Sequence, residues 1–96
     1  MLTNEKFIAK AAKALGDKTR LTILQDIARR GSITITEAQQ LTKLAQPSIS
    51  HHVKLLVDSE LVVTNKTGRT VNLTLSEEKV NLFKDLNNFL NKKAPI

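Results

Sequence analysis

Polar and basic side chains crowd one short window of the chain: Gln46, Ser48, Ser50, His51, His52 and Lys54, set around the apolar Ile49 and Val53. A Gln amide can bond two edge atoms of an adenine at once, a Ser hydroxyl can donate or accept at a base or phosphate, and His and Lys can reach either. His52, beside Val53, is as well suited to local packing as to such a contact. A second window, Lys66, Thr67, Gly68 and Arg69, places two cations around a glycine. That composition suits a thin loop whose Arg enters a narrow, strongly negative groove. No acidic residue falls between Glu37 and Asp58, or from Leu61 to Ser76. Across the chain, 15 Lys and Arg face 9 Asp and Glu, a net charge of +6, with an isoelectric point near 9.9. Together these features predict a face for a polyanion, nucleic acid ahead of an anionic membrane.

Other chemistries find little material. No Gly-rich phosphate loop, nucleophile elbow or His-Glu metal motif occurs, so no catalytic residue is assigned. Asp58 and Glu60 stand two apart near a helix end, do not face each other, and read as solvated charges. Cysteine is absent, which removes disulfides, thiolate metal sites and thiol nucleophiles together. His51 and His52, as neighbours on a helix, point about 100° apart and cannot hold one ion from the same face. Neither a metal site nor a cofactor is expected. No apolar run reaches membrane-spanning length, and Met1 to Lys6 carry no signal-peptide core, so the expected location is cytoplasmic.

The elements that must position these windows follow from apolar spacing. Phe7, Ile8, Ala11, Ala12, Ala14 and Leu15 form one stripe of a helix over about residues 4–15, stopped by Gly16. Asp17 sits where an N-cap belongs, ahead of a second stripe of Leu21, Ile23, Leu24, Ile27 and Ala28, ended by Arg29, Arg30 and Gly31. Ser32 to Ile35 is short, β-branched and extended. Thr36 and Glu37 start a third helix through Lys43, and Leu44, Ala45 and Gln46 connect it to a fourth that carries Pro47 in its first turn. Ile49, Val53, Leu56 and Val57 are the fourth helix's buried stripe, which turns the polar window outward. Leu61 to Thr64 and Val71 to Leu75 predict two strands of a hairpin with residues 65–69 between them. Ser76, Glu77 and Glu78 open a last helix over about residues 77–91, striped by Val80, Leu82, Phe83, Leu86, Phe89 and Leu90. The order helix, helix, extended piece, helix, helix, strand, strand, helix predicts an α+β, mainly helical, winged helix-turn-helix in one domain spanning residues 1–96. The helix-turn-helix covers about residues 36–59 and the wing about 61–75.

Residues 14–24, Ala-Leu-Gly-Asp-Lys-Thr-Arg-Leu-Thr-Ile-Leu, and 46–56, Gln-Pro-Ser-Ile-Ser-His-His-Val-Lys-Leu-Leu, resemble the ArsR/SmtB family of bacterial repressors, and the likeness runs from about Phe7 to Leu90. It implies a homodimer whose first and last helices form the interface. Phe7, Ile8, Ala11, Val80, Phe83, Leu86, Phe89 and Leu90 are the interface residues so assigned, apolar faces that a small domain would otherwise expose. Lys18, Gln39, Lys43 and Ala45 stand where the family favours Pro, Ala, Gly and a capping Ser. Arg20 matches the family's Arg and reads as structural, a partner for an acid. Where metal-sensing members place cysteines at the third helix, this chain has Thr34 and Thr36. Its last helix, Ser76 to Lys93, contains no His.

The function these readings support is sequence-specific binding of double-stranded DNA by a homodimeric repressor on a palindromic operator, read by Gln46, Ser48, Ser50, His51, His52, Lys54, Lys66, Thr67 and Arg69. The rival use of the same architecture, contact with protein or RNA, predicts an apolar or acidic face instead. No residue identifies an inducer.

Overall fold

A computed structural model describes the backbone of residues 2–93 and the side chains of residues 5–85. Five helices and three strands follow in the order α1 Leu2–Leu15, α2 Lys18–Arg30, β1 Ile33–Thr34, α3 Ile35–Thr42, α4 Gln46–Asp58, β2 Val62–Thr67, β3 Thr70–Leu75 and α5 Glu77–Lys93. The strands form one antiparallel sheet in the order β1-β3-β2. This is the winged helix-turn-helix, with β2 and β3 as the wing.

Each helix starts where local chemistry dictates. Asp17 caps α2 by accepting the Arg20 N–H, 3.0 Å, and Gly31 ends it at φ 88°, a left-handed geometry that costs glycine nothing. The start of α3 differs from expectation. Its N-cap is Thr34, not Thr36, because Thr34 and Glu37 form a reciprocal capping box: Glu37 N–H donates to Thr34 Oγ1 at 3.0 Å, and Thr34 N–H donates to Glu37 Oε1 at 2.8 Å. Thr36 is the second residue of the helix.

α2 runs through the middle of the core. Its Ile23 and Ile27 are fully buried with Ile33 of β1, Ile49 and Leu56 of α4 and Leu73 of β3. Ile33 pairs with Leu73 across the sheet, which seats the wing root on the helical layer. The wing differs from its predicted form as well. Asn65, Lys66 and Thr67 belong to β2, paired with Asn72, Val71 and Thr70, so the loop shrinks to Gly68 and Arg69. Gly68 takes φ 63° at the first of two loop positions, where a type II′ hairpin needs a positive angle.

The assigned interface residues divide. Phe7 and Ala11 lie inside the single chain, with 4% and 0% of their surface exposed, which leaves a partner nothing to cover. Phe7 meets Phe83 edge to face at 6.5 Å, and Lys79 Nζ stands 5.6 Å from the Phe7 ring centre. Both Phe7 and Ala11 therefore pack into the core of the single chain. Ile8, Val80 and Phe83 pack on the core and stay half-exposed. Leu86, Phe89 and Leu90 lie outside the residues whose side chains are described.

Candidate nucleic-acid interface

α4 owes its orientation to its buried stripe. Ile49, Val53 and Leu56 fill the core, and Gln46, Ser48, Ser50, His51 and Lys54 are left exposed on the other side. Its N-terminal turn is open. Ala45 offers no side-chain cap, and Pro47 has no N–H to satisfy. Gln46 Nε2 donates to Ser50 Oγ at 3.4 Å, one turn on, which aligns the two along a single edge of the helix. Lys54 Nζ lies 3.2 Å from Asp58 Oδ2. Both members of that pair are exposed, so its contribution to stability is small and Lys54 is available to a phosphate.

Two corners hold α4 against its neighbours. At the α3 end, Lys43 adopts φ 59°, and its N–H donates to the Gln39 carbonyl at 2.8 Å, closing the turn of the helix-turn-helix. At the wing end, the buried Ser59 donates its hydroxyl to the Leu56 carbonyl and accepts the Leu61 N–H at 3.2 Å. Glu60 follows with φ 68°, and the chain reverses into β2.

The wing carries Lys66, Thr67 and Arg69, all exposed. It does not stand apart from α4. A cleft of about 440 Å³ is lined by Thr34, Thr36 and Gln39 of the α3 region, Gln46 of α4, and Arg69, Thr70 and Val71 of the wing. Helix and wing therefore open onto one trough. Of the lining residues, only Gln46 and Arg69 belong to the set expected to contact DNA; Thr36, Gln39 and Thr70 are among those outside it. Their signal was weak, since uncharged polar residues are ordinary on exposed helix and strand faces.

His52 departs from this group. It is half-buried on the opposite flank of α4, where its Nδ1 lies 3.1 Å from Arg20 Nη1 and 3.6 Å from Asp17 Oδ2. Arg20 is buried, and its main partners are carbonyl oxygens and a histidine rather than the acid expected.

Electrostatics tie the interface to α2. Asp26 is nearly enclosed and takes Arg29 and Arg30, and Arg30 also reaches Glu37 of the α3 capping box. The Arg29 hydrogen bond holds the Asp26 carboxyl below its ordinary range. For Glu37 the chief cause of the same shift is the Thr34 N–H, with Arg30 second. Among the described residues, no three His, Asp or Glu side chains converge to hold a metal ion. No described helix is long and apolar enough to cross a membrane.

An exposed reading helix, a turn, and a wing beside it define a helix-turn-helix protein. A family model described as a helix-turn-helix domain matches residues 15–65. The chain is 37% identical over 73 residues to an arsenical resistance operon repressor of Staphylococcus xylosus, covering 76% of this chain and 69% of that one. It is 30% identical over 69 residues to the arsenical resistance operon repressor of Bacillus subtilis, covering 72% of this chain and 66% of that protein, so the match spans just under two thirds of its length. The solution structure of the homodimeric winged helix-turn-helix DNA-binding domain Mb0332 from Mycobacterium bovis, a possible ArsR-family regulator, superposes with a TM-score of 0.74 at 20% identity over 98% of this chain and 87% of that one. The chain belongs to the ArsR family of winged helix-turn-helix transcriptional regulators.

Proposed function

We propose that two copies of this chain bind a two-fold symmetric operator as a repressor. Each copy places the N-terminal half of α4 in a major groove and the wing beside or within the adjoining minor groove. Gln46, Ser48, Ser50 and His51 meet base edges or phosphates there, and Lys54, Lys66, Thr67 and Arg69 meet the backbone or minor groove. The observation that carries this reading is the shared trough: Gln46 at the start of the reading helix and Arg69 at the tip of the wing line one cleft whose lining contains no acidic side chain.

Dimerisation has its own support. An apolar hollow of about 230 Å³ lies beside α5, lined by Leu15, Leu24, Ala28, Leu61, Leu75, Val80 and Phe83, with Gln25 and Lys84 at its rim. Apolar side chains lining an open hollow are more stable covered by a partner surface than left against water. The Mycobacterium bovis domain is homodimeric by description, and two-fold symmetry would set the two reading helices about 34–36 Å apart. The relatives' names concern arsenic, but the 96 residues contain no cysteine, so a thiolate site for arsenite is not part of the proposal.

The test is selection of bound duplexes from a random-sequence pool, then titration of the selected duplex and a scrambled one across a salt series. A preference of about a thousandfold or more, with a steep salt slope, supports a specific reader. Equal, weak binding to both duplexes overturns the operator reading, and an RNA or protein partner then becomes the leading explanation for the polar face.

A further inference from the structure

Arg20 lies at the corner where α1 ends, α2 begins and α4 passes, and only 8% of its surface is exposed. Its Nε donates to the Ala14 carbonyl at 3.0 Å and its Nη2 donates to the Lys13 carbonyl at 3.1 Å. Two arms of the guanidinium thus hold carbonyls at the end of α1, at the pole of the helix where a cation is favoured; the Lys13 carbonyl also takes the Gly16 N–H at 3.3 Å. The third arm leaves that corner: Nη1 stands 3.1 Å from Nδ1 of His52.

A guanidinium carries only N–H donors, so in this bond Nδ1 is the accepting atom, and Asp17 Oδ2 lies 3.6 Å from the same nitrogen. The acceptor is on the reading helix, and the donor is fixed to α1 and, through its own backbone N–H, to the Asp17 cap of α2. Apolar packing of Ile49, Val53 and Leu56 settles which side of α4 faces inward, but it is non-directional. A planar fork with three acceptors is directional.

We propose that Arg20 and His52 are positioning residues for DNA reading: their hydrogen bond fixes the rotation and axial setting of α4 against α1, the helix assigned to the subunit interface, and so decides where the reading side chains fall in the groove. The inference rests on the operator-binding proposal above, and it makes the Arg20 fork the connection between the end of α1 and the reading helix.

The test uses full-length wild-type protein and variants at His52, with the duplex that wild type selects from a random pool and a scrambled duplex of equal length. His52→Ala is expected to weaken binding to the selected duplex about tenfold, the worth of a hydrogen bond to a charged donor, and to leave the scrambled duplex unaffected. The loss should spread over every base position that wild type discriminates, as mapped by single-pair substitutions. His52→Asn, whose Oδ1 can take the place of Nδ1, should restore most of the affinity. His52→Leu, bulky but with no acceptor, should not. Circular dichroism spectra matching wild type keep a folding defect from passing as a positioning defect. A loss confined to one base pair makes His52 a direct reader, and an equal loss on both duplexes makes it a phosphate contact. Either result overturns the inference, as does unchanged specificity in His52→Ala. If wild type selects no duplex, the operator proposal itself falls and takes this inference with it, an outcome distinct from the other three.

Discussion

Single residues carry separable parts of the work, and two substitutions separate them. Gln46→Ala should cost about 1–3 kcal/mol at the base pair that Gln46 reads and relax preference at that position, as binding to a panel of single-pair variants will show. Lys66→Ala, on the wing strand, should weaken every sequence alike and lower the slope of log affinity against log salt by about one. A third prediction concerns the backbone. Lys43 closes α3 in the left-handed region at φ 59°, where a side chain costs roughly 1–2 kcal/mol that glycine does not incur. Lys43→Gly should therefore raise the urea midpoint with an unchanged slope.

Among the elements, the clearest dependence on conditions lies between α2 and α3. The carboxyls of Asp26 and Glu37 are both held below their ordinary range in the folded chain. A depressed carboxyl contributes stability that is present above its unfolded value and lost as pH falls through its folded value. Acid should therefore loosen the α2–α3 joint as the pH drops below about 4, and the double variant Asp26→Asn, Glu37→Gln should show a flatter acid limb in its thermal midpoints. What sequence revealed at this scale depended on special chemistry. Gly16, Asp17, Gly31 and Pro47 mark helix ends because each does something at a helix terminus that few residues can do. The start of α3 was misplaced by two residues because Thr34 and Thr36 can both cap. Glu37 standing three residues after Thr34 was the signal that separates them. The wing strands extend further toward the tip than apolar alternation predicts, for a different reason. Asn65, Lys66 and Thr67 pair through their backbones while their side chains face solvent, so hydropathy carries no trace of the pairing. His52 and Arg20 stand 32 residues apart, and neither spacing nor composition links them. Phe7 and Ala11 could not be sorted between core and interface, because an apolar stripe looks the same whichever surface covers it.

For the whole molecule, the proposal requires more than one copy. Sedimentation equilibrium should give a mass near twice the 10.7 kDa of the chain, and the thermal midpoint should rise with protein concentration, because mass action favours a state held together by association. A monomer of unchanging midpoint would count against the two-fold operator. The order of events in folding follows from a smaller feature, the two-residue strand β1. Ile33 pairs with Leu73, and the whole helix-turn-helix lies between those positions in the chain. The β2–β3 hairpin is local and can form early. The loop that encloses α3 and α4 cannot close until that hairpin meets β1. The wing is thus a clasp as well as a contact. Shortening its tip should spare the fold, but deleting β3 should remove Leu73 from the core and leave Ile33 without its partner strand.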